Sequence, residues 1–244
     1  MERELQRLSW LKIKKLVPDE INTVIFPVGT VEGHGSCCVG TDNIIPTTLS
    51  LNIADRLNAL VAPTVNYGIT KSLYRYNGSS TIKPSTFQLY VRDILDSFVD
   101  TGFKNVILMN GHGGNNDALK TVAFEFHHEK KANIVVVHWW ELCGEMTREF
   151  FGHQGGHAGT DETALIQSID ADLADDKLYD PELAYYYRRG ADVYPVPGSI
   201  LLYKEGEGYP NFNLEQAKEY QQKVIKMVGD FAEMVINRWK KFGL

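Results

Sequence analysis

Apolar residues along this chain alternate between short unbroken runs and longer stretches in which they recur every three or four positions. Residues 24–28 form the first run and end at Gly29, as a parallel strand buried on both faces does. Pro46 predicts the opening of a helix that continues to Leu57, because proline is tolerated in a first turn, where N–H groups lack intrahelical partners anyway. Residues 59–63 return as a short strand. Ser85 can cap the next helix, in which Leu89, Val91, Ile94, Leu95, Phe98 and Val99 keep helical spacing. A third run at 105–109 leads into a glycine-rich turn at 110–115 and then a helix carrying Leu119, Val122, Ala123 and Phe126. A fourth strand is expected at 134–138, and a helix at 160–169 with Ala164, Leu165 and Ile166 toward its buried side.

Between 170 and 208 the pattern lapses into polar residues with Pro181, Pro195, Pro197 and several glycines, which predicts loops over one end of the sheet. From 214 to 242 helical spacing resumes, and Val224, Met227, Val228, Phe231, Met234, Val235 and Trp239 make one apolar stripe suited to docking on a core. Alternating strands and helices predict a single α/β domain over residues 1–244, a three-layer α/β/α sandwich around a mostly parallel sheet. In such sheets ligand sites gather at the carboxyl ends of the strands. Glu32, His34 and His112 all fall there.

Composition narrows the function. At 244 residues and 43% hydrophobic the chain can fill one large core, and a formal net charge of −6 disfavours a nucleic-acid backbone as partner. A small-molecule substrate is expected instead. The charged start and the absence of a long apolar stretch predict a cytoplasmic protein with no membrane partner. Three cysteines, Cys37, Cys38 and Cys143, make no disulfide framework, and the adjacent pair is read as filling rather than as metal ligands.

Four segments carry candidate chemistry. Glu32 and His34 are two residues apart, so in an extended strand end both can face one site, and Asp42 follows soon after. A carboxylate, an imidazole and a second carboxylate suit zinc, manganese or iron. His112 lies among Gly111, Gly113 and Gly114 directly after a buried strand, where glycines let the backbone approach a ligand closely. The same turn also fits a histidine that merely caps a helix, or a phosphate cradle, although the lysine and Ser/Thr of a P-loop are missing. His157 precedes a helix whose first turn holds Asp161 and Glu162, an arrangement that the helix dipole alone would explain. A parallel sheet can bring all of these side chains together, and together they indicate a metal-dependent hydrolase.

These motifs, from Pro27 to Gly35, Thr41-Asp42, 110–115, His157-Ala158-Gly159 and Glu162-Thr163, resemble the creatininase, or creatinine amidohydrolase, family. The resemblance runs from about residue 25 to about residue 173 and more faintly through 198–216. It implies an α/β/α fold, two divalent ions bridged by a carboxylate and a water, and assembly into homohexamers. Carried over by position, it makes Glu32, Asp42 and His112 ligands of one ion, His34 and Asp42 ligands of the other, and His157 the catalytic histidine that protonates a leaving nitrogen. The ions would be Zn²⁺ or Mn²⁺, with Fe²⁺ as a further option.

Two departures mark this chain. Creatinine-hydrolysing members carry a ligand glutamate where Gly114 stands, which implies either a weaker metal site or Glu162 as the replacement, and a pocket tryptophan where His153 stands. Trp140, followed by Glu141, resembles another of their pocket tryptophans, and Trp140, His153 and the loop at 74–80 are expected to line the substrate site. The expected activity is hydrolysis of a C–N bond in a cyclic or linear amide, creatinine or a related small molecule. The alternatives are a formamide, the end of a modified peptide, a phosphate binder, or a metal-binding oligomeric scaffold without turnover.

Overall fold

A computed structural model describes residues 1–244. In chain order the elements are α1 (Trp10–Leu16), β1 (Thr23–Val28), α2 (Thr41–Ala54), β2 (Ala59–Val61), α3 (Pro84–Thr101), β3 (Asn105–Asn110), α4 (Asn116–Lys130), β4 (Asn133–His138), α5 (Trp139–Leu142), α6 (Gly144–Phe151), α7 (Thr160–Ile169), β5 (Ala184–Tyr186), β6 (Ile200–Leu202) and α8 (Leu214–Phe242). Strand order in the main sheet is β2-β1-β3-β4, with every neighbouring pair parallel. Alternation along the strands splits the core between two faces. Ile25, Ile107 and Met109 pack with Leu49, Leu165 and Val224 from α2, α7 and α8. Val24, Phe26, Val106 and Leu108 pack on the other side with Val91 and Leu95 of α3 and Leu119 and Phe126 of α4. This is the expected three-layer sandwich.

Burying each such side chain is worth about 1.5–3 kcal/mol before the entropy of ordering it. Strands held from both faces have fixed ends, and register aligns them: Val28 of β1 pairs with Asn110 of β3, and Asn110 with His138 of β4. The loops after these strands therefore start from one row.

Several local features differ from the sequence expectation. α2 begins at Thr41, so Pro46 lies in its second turn rather than opening it. Without an N–H, Pro46 cannot satisfy the Asp42 carbonyl four residues back. Gly29 and Gly111 pack against that same carbonyl oxygen more closely than a Cβ would permit. The proline is tolerated where two turn glycines close over the carbonyl it leaves free, and this pins Asp42 between the ends of β1 and β3.

α3 opens on Pro84 at its first position, with Ser85 inside the first turn. Its buried residues are Phe87, Val91, Leu95 and Phe98, whereas Leu89 is 66% exposed. α8 buries Ala217, Tyr220, Val224, Val228 and Ala232, so the stripe starts earlier than expected and Met234 faces out. In the 170–208 segment, Asp170, Asp175 and Asp180 each accept an N–H from two residues on, making successive tight turns. β5 and β6 then pair in parallel, an element too short to leave a periodic signal. No helix is long and apolar enough to cross a membrane.

Candidate metal centre

Each candidate side chain is delivered by the end of a core element. Glu32 and His34 follow β1, Asp42 occupies the first turn of α2, His112 follows β3, and His157 and Glu162 flank the start of α7. Glu32, His34, Asp42, His112 and Glu162 are buried. Asn110 fixes the β3 exit: its Oδ1 accepts the His112 N–H at 3.1 Å and its Nδ2 donates to the His112 carbonyl at 2.9 Å. At α7, the Ala158 N–H donates to Glu162 Oε2 at 2.6 Å, which turns that carboxylate inward instead of leaving it on the helix surface. Ala158 adopts φ of 53°, a strained value for a residue with a Cβ, beside the candidate ligands.

All three imidazoles are oriented in the same way. His34 Nδ1 lies 3.0 Å from the Glu32 carbonyl, His112 Nε2 lies 3.0 Å from the Ile69 carbonyl, and His157 Nε2 lies 2.8 Å from the Gly33 carbonyl. A carbonyl can only accept, so each of these nitrogens carries the proton, and a neutral ring presents the lone pair of its other nitrogen. Those second nitrogens face carboxylates. His34 Nε2 is 2.9 Å from Asp42 Oδ1 and 3.7 Å from Glu162 Oε2. His112 Nδ1 is 2.8 Å from Asp42 Oδ2 and 3.3 Å from Glu32 Oε1, and His157 Nδ1 is 3.4 Å from the same Glu32 oxygen.

Three buried carboxylates share this space, and their ion pairs are with imidazoles alone. Burial pushes Glu32 up and Glu162 well above the ordinary carboxylate range. Burial acts the same way on Asp42, but His34 and His112 outweigh it and hold Asp42 well below that range. Burial opposes charge on His34 and His112, yet Asp42 raises the first to about 10, and Glu32 with Asp42 raises the second to about 9. His157 goes the other way, pushed down to about 3 by burial and then by His34. Such a cluster requires positive charge, which protons or metal ions can supply.

The donor set fits metal ions. Asp42 Oδ2 is buried and accepts no hydrogen bond, although His112 Nδ1 stands beside it. Donors about 2.0–2.2 Å from a tetrahedral zinc stand roughly 3.3–3.6 Å from one another. The separations here, 2.8 to 3.7 Å, bracket that spacing. Donor atoms converge as Glu32, Asp42 and His112, and as His34, Asp42 and Glu162, so Asp42 belongs to both groups. A third convergence is Glu32, His34 and His157. Cys37 joins none of these, and its buried Sγ lies 3.5 Å from the Thr163 hydroxyl.

Gly114 offers no route to a further ligand. A Cβ there would overlap the Ile69 carbonyl oxygen and His112 Nε2, the two atoms of the bond that orients the His112 ring. Glu162, arriving from α7 on the His34 side, is the carboxylate available in its place.

The cluster forms the floor of a cavity of about 780 Å³. Trp140 lines it as expected, and Tyr185, Tyr187 and Tyr203 from around β5 and β6 form another wall. His153 is not part of the lining: its ring stacks on Phe151 and its Nδ1 accepts the Gly208 N–H at 3.1 Å. The loop at 74–80 stays outside as well, Tyr76 donating to the Val196 carbonyl, and the preceding residues Lys71, Ser72 and Leu73 reach the cavity instead. Asp161, read from the sequence only as a helix-dipole partner, also lines the cavity, and its Oδ1 accepts the Gly156 N–H at 3.0 Å. Burial raises it to about 6. The tyrosines were missed because they sit in a segment without periodicity; the aromatic cluster at 185–187 was its one visible signal.

A parallel sheet covered on both faces, with imidazoles and carboxylates converging at its carboxyl edge, presents a candidate metal centre on an α/β scaffold. The family model described as Creatininase, creatinine amidohydrolase, matches residues 6–199, and the chain belongs to this family. It is 27% identical over 212 residues to a creatinine amidohydrolase from Pseudomonas putida, covering 78% of this chain and 80% of that one. It is also 23% identical over 167 residues to a mycofactocin precursor peptide peptidase from Mycobacterium ulcerans, covering 64% and 62%. A solved creatinine amidohydrolase shares the fold with a TM-score of 0.77 at 21% identity, over 94% of this chain and 96% of that one. Creatininase structures of zinc and manganese form superpose at 0.76.

Proposed function

We propose that this chain is a two-metal amidohydrolase that cleaves a C–N bond in a cyclic or linear amide. The observation that carries this reading is Asp42: each of its oxygens faces a different histidine, and it is common to the two donor groups that combine two carboxylates with a histidine. Glu32, Asp42 and His112 would hold one ion, and His34, Asp42 and Glu162 the other, with Glu162 serving in the role closed to Gly114. Ions held there would supply a water of near-neutral pKa and polarise the amide carbonyl.

The remaining work falls to the protein. His157 donates Nε2–H to the Gly33 carbonyl and leaves Nδ1 free, so it starts as a proton acceptor. Its Nδ1 takes the proton of the attacking water and then donates it to the departing nitrogen, while Glu32 at 3.4 Å stabilises the transient imidazolium. Gly33 holds the ring through Nε2 throughout. Trp140 and the tyrosine wall would flank the bound amide.

Creatinine itself is one candidate substrate and a formamide another. A second reading, the end of a modified peptide, is favoured by the cavity, whose 780 Å³ lies toward the upper part of the usual ligand-pocket range of about 300–1,000 Å³. Turnover on a panel of creatinine, formamides and peptide amides separates these. On whichever is cleaved, chelation is expected to abolish turnover, and added Zn²⁺ or Mn²⁺ to restore it. Hydrolysis that persists after complete chelation contradicts the metal mechanism.

A further inference from the structure

The turn after β3 contains a second buried asparagine that no step above uses. Asn115 is fully buried, and its side chain joins two loops that are distant in sequence. Its Oδ1 accepts the Ile69 N–H at 3.0 Å, and its Nδ2 donates to the Gly29 carbonyl at 3.1 Å. The fit is close enough that a Cβ on Gly68 would lie 2.6 Å from Asn115 Oδ1 and 2.9 Å from Nδ2. Ile69 is the residue whose carbonyl takes the His112 Nε2 proton. One peptide unit away, the Gly68 N–H donates to the Thr30 hydroxyl at 3.1 Å, and Thr30 Oγ1 in turn lies 3.1 Å from Thr70 Oγ1. The segment at 68–70 is thus tied to the end of β1 from two directions.

We propose that Asn115 is a positioning residue for the metal centre: its amide ties the Ile69 N–H to the Gly29 carbonyl at the end of β1, and the carbonyl of the same Ile69 residue holds His112 with the Nδ1 lone pair toward Asp42 and Glu32. The inference rests on the reading of His112 as a metal ligand. Its physical basis is that an imidazole ligand is only as well aimed as the acceptor of its other N–H. A free loop at 68–70 would let the Ile69 carbonyl drift, and the ring would then rotate or exchange tautomer. An asparagine in a turn has a plain structural use, as a local cap, but the Asn115 side chain makes no cap hydrogen bond to α4. Both of its bonds leave the turn.

Asn115→Asp keeps the size of the side chain and the acceptor for Ile69 but puts an oxygen against the Gly29 carbonyl. In the folded variant, competition with a chromophoric chelator is expected to show Zn²⁺ or Mn²⁺ bound about 10–100-fold more weakly at one of the two positions. Asn115→Ser, which loses both bonds and adds no charge, should weaken it in the same direction. Histidine nitrogen NMR of the wild type provides an arm that needs no variant: His112 should be protonated at Nε2, with that proton protected from exchange. A purely architectural Asn115 predicts lower thermal stability with unchanged affinity, and that result, or a His112 protonated only at Nδ1, overturns the proposal. Wild-type protein that binds no metal overturns the function proposed above instead, and the NMR arm still decides whether the clamp orients the ring.

Discussion

Replacing Asp42 with asparagine is expected to remove both ions and with them all measurable turnover. Asp42 Oδ1 stands 2.9 Å from His34 Nε2, and Oδ2 stands 2.8 Å from His112 Nδ1. An asparagine offers one neutral oxygen and sets an NH₂ group toward an imidazole lone pair that should meet a cation. Losing an outer partner of a ligand commonly costs about 10–100-fold in metal affinity; losing a residue shared by both groups should exceed that. Stability follows, because an ion present at about a thousand times its Kd contributes roughly 4 kcal/mol to the folded state. Elemental analysis and melting of the variant with added Zn²⁺ check this. Wild-type metal content in Asp42→Asn contradicts the bridging role.

His157→Ala is the second large effect, and it should separate chemistry from metal binding. The His157 Nδ1 lies 3.4 Å from Glu32 and its ring centroid 4.1 Å from that of His34, while its Nε2 is spent on the Gly33 carbonyl. Removing a positioned proton carrier typically lowers rate by about 10²–10⁴-fold. The expected result is therefore kcat reduced by that factor, with KM changed little and metal content near wild type. Because Glu32, His34 and His157 also converge, a variant that loses metal in step with activity would make His157 a ligand instead. Unchanged turnover would rule out His157 as the proton carrier.

The strands and α7 were legible because burial on both faces leaves apolar runs with abrupt ends. Residues 160–169 were read with both ends as found. Glu32, His34, His112 and Asp42 were legible because glycines flank most of them at strand ends, where α/β sheets place ligands. Glu162 was harder. An acidic residue in a first turn is normally explained by the helix dipole, and what turns it inward is the Ala158 backbone, whose positive φ no sequence pattern announced. The start of α2 was misplaced because Pro46 looks like a first-turn residue; its tolerance in the second turn depends on Gly29 and Gly111, which are far away in sequence. His153 was placed in the substrate site by analogy of position, but the ring lies against Phe151 and the Gly208 N–H. The tyrosine wall depends on three-residue strands, and nothing shorter than about four residues carries a usable period.

The central claim is that two ions share Asp42. Metal analysis of the purified protein together with anomalous scattering from crystals grown with Zn²⁺ or Mn²⁺ tests it most directly. Two ions per chain are predicted, one among Glu32, Asp42 and His112 and one among His34, Asp42 and Glu162. A single ion, or none beside Asp42 at saturating metal, would contradict the account.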